Sequence, residues 1–304
     1  MPNSNVNSRI HSRIQLTDIA IDFLRRLTSE PGFQWQLLAG LQALLSIWLV
    51  QATQQDQGVT LLAVVVWGGA AICMEDQLED FRVRPSQASL VAGLTLLAYA
   101  TWRSVIVLDL DTMAYVLPVI QGLGLGLMAR PVRQLLIFRE PLIVLSLFPL
   151  HFLAFKLLPE YWLSVTTGKI GQIILLLFGV ESASVGRIFS IGGSGVSIQP
   201  SCSGAGLIAQ LAVIAIVFVM AYPIRSKKSK VIFLVIAPLI GYLVNACRII
   251  LLAVILGSSL PHRQQLFDFM HEEWGGLVFS GIATVILGQI YMSMVNRQLA
   301  DGRG

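Results

Sequence analysis

Long apolar runs broken by short polar, often basic, loops make up most of this chain. Crossing a bilayer core of about 30 Å takes ~20 apolar residues in a helix. The runs predict eight such spans, near 34–50, 59–74, 88–108, 113–129, 135–157, 203–222, 231–256 and 274–295. Between the fifth and sixth lies the one long connection, roughly 158–202, large enough to build something over a membrane surface. Within it, Lys169 to Glu181 is apolar but too short to span, which predicts a re-entrant or interfacial helix.

Composition agrees with this pattern. The 304 residues are 55% hydrophobic and only 12% charged, against about 25% charged in soluble domains. The expected fold class is therefore an all-α polytopic membrane protein. The domain layout is a cytoplasmic amphipathic segment over 1–33, an eight-span membrane domain over 34–295 and a cytoplasmic tail over 296–304.

Charge then orients the chain. Of 21 Lys and Arg, 15 fall in the loops on one side: Arg9, Arg13, Arg25 and Arg26, then Arg82 and Arg84, then Arg130, Arg133 and Arg139, then Arg225, Lys227, Lys228 and Lys230, then Arg297 and Arg303. The other side holds Arg103, Lys156, Lys169, Arg187 and Arg263. By the positive-inside rule both termini are cytoplasmic, and Trp48, Trp102, Trp162 and Trp274 form an outer aromatic belt. The net charge of +4 is spread over several loops, so it reports topology and not a nucleic-acid face. The first 30 residues are too polar for a signal-peptide core, and Thr17 to Leu27 reads as a surface amphipathic helix or a solvated tail. Cys73, Cys202 and Cys247 have no metal or disulfide spacing, so neither a metal nor a cofactor is expected.

The candidate chemistry gathers on the outer side. Cys202 lies in Gln199-Pro200-Ser201-Cys202-Ser203-Gly204, where a polar, glycine-rich stretch turns into the sixth span. A thiol at a helix start meets the positive end of the helix dipole, which favours the thiolate. Arg248 stands about eight residues before the outer end of the seventh span, on the order of 12 Å deep at 1.5 Å per residue. Charges at such depth usually serve a site. Asn245, three positions earlier, shares its face and is placed to hold the guanidinium. His271 closes the last outer loop, with Glu272 and Glu273 beside it, and His151 and His262 compete for its role. Cysteine, arginine and histidine at one leaflet suit acyl transfer: nucleophile, oxyanion stabiliser and acid/base.

Each residue also has an inert reading. Membrane cysteines are often packing residues, Arg248 can snorkel to headgroups, and loop histidines are commonly solvated. Gly122, Gly124 and Gly126 read as ordinary helix packing. Gly192, Gly193 and Gly195 are not a dinucleotide fingerprint, and flexible backbone near Cys202 that supplies oxyanion N–H groups is the better expectation for them.

At these residues the sequence resembles the exosortase/archaeosortase family. The resemblance rests on Pro200-Ser201-Cys202-Ser203-Gly204, on Asn245-Ala246-Cys247-Arg248, and on His271 followed by Gly275 and Gly276. It covers roughly 35–295 and is strongest to bacterial members, in particular the cyanobacterial branch. The resemblance implies a cysteine transpeptidase of the bacterial plasma membrane, acting on its extracytoplasmic side. Its substrates would be exported proteins with a C-terminal signal: a Pro-Glu-Pro-like motif, a transmembrane helix and a basic tail. By carry-over Cys202 is the nucleophile, Arg248 the stabiliser and His271 the acid/base, supported by Asn245, Ser201, Ser203 and Gly204. The implied partners are those exported proteins, membrane lipid and an acceptor, polysaccharide or lipid, that the resemblance does not identify. Two alternatives stay open here. One is an intramembrane hydrolase using Ser201 or Ser203, which lacks a Gly-x-Ser-x-Gly elbow; the other is a transporter with Arg248 as an anion site, for which no inverted repeat is evident.

Overall fold

The computed structural model describes residues 31–53, 57–78, 85–106, 111–199, 202–222, 224–273 and 275–300. Its helices are α1 (Pro31–Ala52), α2 (Gln57–Leu78), α3 (Gln87–Ile106), α4 (Thr112–Ala129), α5 (Arg139–Leu157), α6 (Glu160–Leu177), α7 (Ala205–Ala221), α8 (Lys227–Gly257), α9 (Arg263–Asp268) and α10 (Gly275–Ala300). A 3₁₀ turn, Val132–Phe138, leads into α5, and a π turn, Phe269–Glu273, joins α9 to α10. The chain is an all-α polytopic membrane protein, and each of the eight expected spans falls on a helix.

Among the described residues, six helices are long and apolar enough to cross a membrane. Two further apolar stretches, Gly58–Met74 and Ala205–Ala221, are shorter. Polar caps set several boundaries. Asp111 accepts the Ala114 N–H at 2.8 Å to start α4, and its carboxylate also pairs with Arg103 from the last turn of α3. Ser226 accepts the Ser229 N–H at 3.3 Å to start α8. Lys227, Lys228 and Lys230 follow at the positive end of that helix's dipole, where they do not help the helix. Lipid headgroups are the better partners for them. The expected amphipathic helix over Thr17–Leu27 lies outside the described residues, and α10 continues to Ala300, past the expected boundary at 295.

Among the described residues, Arg130 and Arg133 lie between α4 and α5, Arg139 opens α5, and Lys227, Lys228 and Lys230 open α8. The main core lies where α2, α5, α7, α8 and α10 meet, around Leu62, Val66, Val144, Phe148, Leu211, Ile214, Phe233 and Leu287. Burying apolar surface in lipid gains little, so close packing and polar bonds must hold helices together. Ser46 donates to Gln121 at 2.6 Å between α1 and α4, and Ser280 donates to Gln210 at 3.2 Å between α10 and α7. Glycines allow the closest crossings. A Cβ on Gly93 would stand 2.7 Å from the Gly124 carbonyl oxygen, and one on Gly241 would stand 2.8 Å from the Leu207 carbonyl oxygen. Gly122, Gly124 and Gly126 face Leu145, Leu97 and Leu135 respectively, so they are packing positions as expected.

The long connection builds a cap packed on the end of α8 and on Cys202. It begins with α6, which starts nine residues before the expected Lys169 and packs along α8, where Tyr242 donates to Thr166 at 2.9 Å. Three strands then form an antiparallel meander, β1 (Ser182–Val185), β2 (Ile188–Ile191) and β3 (Ser194–Ser197). The sheet departs from the expected loop, although runs of β-branched and small residues broken by Gly186-Arg187 and Gly192-Gly193 carry the hairpin signal. Gly192 and Gly193 both have positive φ (56° and 81°), the geometry of a two-residue hairpin turn. That corrects the reading of these glycines as loose backbone beside Cys202, because their turn sits against Gly257 at the end of α8. Phe189 and Ile198 are fully buried under the sheet, in a second core shared with Leu175, Ile249, Leu252 and Cys202.

The α7–α8 crossing generates a stability prediction. Gly241→Ala meets backbone, which cannot rotate away, and should cost about 1–3 kcal/mol by overpacking. Gly281, where an added methyl would meet nothing within 4 Å, should tolerate alanine. Thermal unfolding in detergent checks this: a lower midpoint for Gly241→Ala and an unchanged or higher one for Gly281→Ala.

Candidate active site

Cys202 sits in a short turn, its N–H bonded to the Gln199 carbonyl at 2.9 Å, immediately before α7. Gly204 begins the helix with φ of 92°, a left-handed conformation that glycine adopts without cost. A side chain there would also collide with Asn245, since a Cβ would lie 2.8 Å from its Nδ2. The glycine thus lets α8 come close enough for Asn245 to reach the turn. Asn245 is buried and donates to the Cys202 carbonyl at 3.0 Å. This differs from the expectation that Asn245 holds the Arg248 guanidinium. One face of α8 carries both residues, but the asparagine faces the cysteine turn while the longer arginine reaches elsewhere.

Arg248 donates from Nη2 to the main-chain carbonyl of His271 at 2.7 Å. Its Nε is buried and has no hydrogen-bond partner among the described residues. α8 ends at Gly257, nine residues past Arg248, ~13 Å at 1.5 Å per residue, close to the expected depth. Thirty-one residues extend about 46 Å, well beyond a hydrocarbon core of about 30 Å. With the lysines at the start of α8 in the headgroup region, Arg248 lies ~30 Å along the helix, near the far margin of the core.

His271 is in the π turn between α9 and α10. Its Nε2 stands 3.2 Å from Cys202 Sγ, within hydrogen-bonding range. The ring also stacks on Phe267, with centroids 5.2 Å apart and planes 10° from parallel. A π turn interrupts helical regularity and recurs at functional sites. Here it turns the His271 carbonyl towards Arg248 while the imidazole meets the thiol. Cys202 is only 6% exposed, so the thiol–imidazole contact forms in surroundings that strengthen polar interactions.

The structure thus brings Cys202, Asn245, Arg248 and His271 together from three segments distant in sequence. Ser203 is fully buried and its hydroxyl accepts the Ala205 N–H at 3.3 Å, which makes it part of the helix start. Ser201 lies outside the described residues, as do the side chains of Glu272 and Glu273. His151 is buried in α5, and His262 is exposed at the start of α9 with φ of 68°. Phe267 is the neighbour that sequence reading missed. Its signal was the i, i+4 spacing to His271, which places two side chains on one helical face.

Residues 48–288 match a family model described as transmembrane exosortase. No match was found among curated proteins or among solved structures. The match covers most of the chain, including the three segments that meet at Cys202, and the protein accordingly belongs to the transmembrane exosortase family.

Proposed function

We propose that this membrane-embedded, sorting-related enzyme is a cysteine protease or transpeptidase whose nucleophile is Cys202. The observation that carries the reading is the 3.2 Å contact between Cys202 Sγ and His271 Nε2. That separation permits proton transfer, which converts a weakly nucleophilic thiol into a thiolate–imidazolium pair. The thiolate attacks a peptide carbonyl carbon to give a tetrahedral oxyanion. Collapse breaks the C–N bond, the imidazolium donates its proton to the leaving amine, and a thioester remains on Cys202. An incoming amine, hydroxyl or water then attacks the thioester, His271 takes its proton, and the C–S bond breaks to release the Cys202 thiolate, which restores the thiolate–imidazolium pair. Arg248 spends one Nη2 donor on the His271 carbonyl. Its remaining N–H groups supply positive charge for the oxyanion.

The substrates in this reading are exported proteins with a C-terminal signal of Pro-Glu-Pro-like motif, transmembrane helix and basic tail. A site at the base of the cap, near the margin of the hydrocarbon region, suits a motif at the upper end of such a helix. The basic loops at the opposite end support a plasma-membrane orientation with the cap outside. Exposed Trp48, Trp102 and Trp162 fit an interfacial belt on that side.

Co-expression with an exported protein bearing such a signal tests the chemistry. Cys202→Ala should abolish processing and any acyl-enzyme trapped at that position; full processing in this variant would instead point to Ser201 or Ser203. Arg248→Lys should slow processing by roughly 10²–10³-fold, the usual cost of an oxyanion donor. Asn245→Ala removes the buried hydrogen bond to the Cys202 carbonyl, a loss of about 0.5–1.5 kcal/mol. Its expected signature is a lower unfolding midpoint together with slower processing.

Orientation has its own test. With Cys73 and Cys247 replaced by alanine, a small membrane-impermeant thiol reagent should modify Cys202 from the extracytoplasmic side. Modification from the cytoplasm alone would overturn the proposed topology.

A further inference from the structure

We infer that Phe267 is a positioning residue that stabilises the protonated form of His271; this rests on the thiolate–imidazolium reading above. The two rings are nearly parallel, 10° apart, with centroids separated by 5.2 Å. A cation within about 6 Å of an aromatic centroid is attracted by the negative face of the ring. Neutral imidazole gains much less from that contact than imidazolium does. The stack therefore favours the charged pair, Cys202 thiolate with His271 imidazolium, over the neutral thiol and imidazole.

Two features make this more than a chance contact. First, His271 is held from several directions. Arg248 fixes its carbonyl at 2.7 Å, Cys202 Sγ lies 3.2 Å from Nε2, and Phe267 stacks, offset, against one ring face. Second, Phe267 is itself fixed, packed against the cluster that contains Cys202, Ile249 and Leu252. The ring is thus a rigid platform.

The charged groups on the surrounding elements leave room for this effect. On α8 the guanidinium of Arg248 engages the main chain of the π turn. On α9 Asp268 accepts from Gln264 at 2.9 Å, and Arg263 donates to the carbonyls of Leu256 and Ser258 at 3.3 and 3.1 Å. No charged residue follows on α10 before Arg297, at the opposite end. Glu272 and Glu273 adjoin His271 in sequence, with side chains outside the described residues.

The experiment measures alkylation of Cys202 by iodoacetamide as a function of pH, by mass spectrometry, in detergent-solubilised full-length protein carrying Cys73→Ala and Cys247→Ala. The readout needs no substrate. Phe267→Leu keeps the bulk but removes the aromatic face. Its rising limb should move to higher pH by about half a unit to one unit, since the thiolate then forms with a less stabilised partner. Phe267→Tyr should follow the parent. Should the leucine variant not fold, Phe267→Met serves the same purpose. A leucine or methionine profile superimposing on the parent overturns the inference, as does an equal shift in the tyrosine variant, which would mark a packing effect. His271→Ala separates the two levels of argument. If it moves the profile while Phe267→Leu does not, only the role of Phe267 is lost. If it leaves the profile unchanged, the thiolate–imidazolium reading fails and this inference falls with it.

Discussion

The close crossing of α7 and α8 is the constraint on which the site depends. Gly241 lets the α8 backbone approach Leu207, and Gly204 opens the space that Asn245 fills. With larger residues at either position the helices would separate, and Asn245 could not reach the Cys202 carbonyl. From that crossing the other contacts follow in order along one face of α8. Asn245 fixes the cysteine turn, and Arg248, one turn further on, fixes the main chain of the π turn. The imidazole then meets the thiol because both backbones are tied to the same helix.

The bundle and the cap divide the work. Within the bundle, glycine contacts and buried polar bonds such as Ser46 with Gln121 hold helices that lipid does little to drive together. The cap shields the site. Phe189, Ile198 and Leu175 cover the end of α8 and form, with Cys202, one small apolar cluster. A thiol in such surroundings is protected from bulk water yet remains in hydrogen-bonding range of a histidine. At 31 residues, α8 is longer than a hydrocarbon core of about 30 Å requires.

The helices were legible because periodic or continuous apolar composition over some 20 residues has few other stable outcomes in a bilayer. Cys202, Arg248 and His271 stood out for a related reason: polar residues near apolar spans are costly, so each invites an explanation. The meander over 182–197 was hidden by its small size and serine-glycine composition. Read as a loop, it left Gly192 and Gly193 without their hairpin. The role of Asn245 was misassigned because helical spacing shows that two residues share a face but not how far each side chain reaches.

Membrane class and helical runs follow from composition and local period alone, and the same reading singles out Cys202, Arg248 and His271 as candidates. The sequence also carried the family likeness, through short motifs around the same residues. Which groups touch is a matter of three-dimensional packing. The pairing of Cys202 with His271 spans 69 positions, and the stack of Phe267 on that histidine matters only because the thiol meets the same ring. Such contacts depend on how closely two helices cross and how a turn is wound. Those distances are set by backbone approach at a few glycines, a property of the packed bundle that no single segment contains.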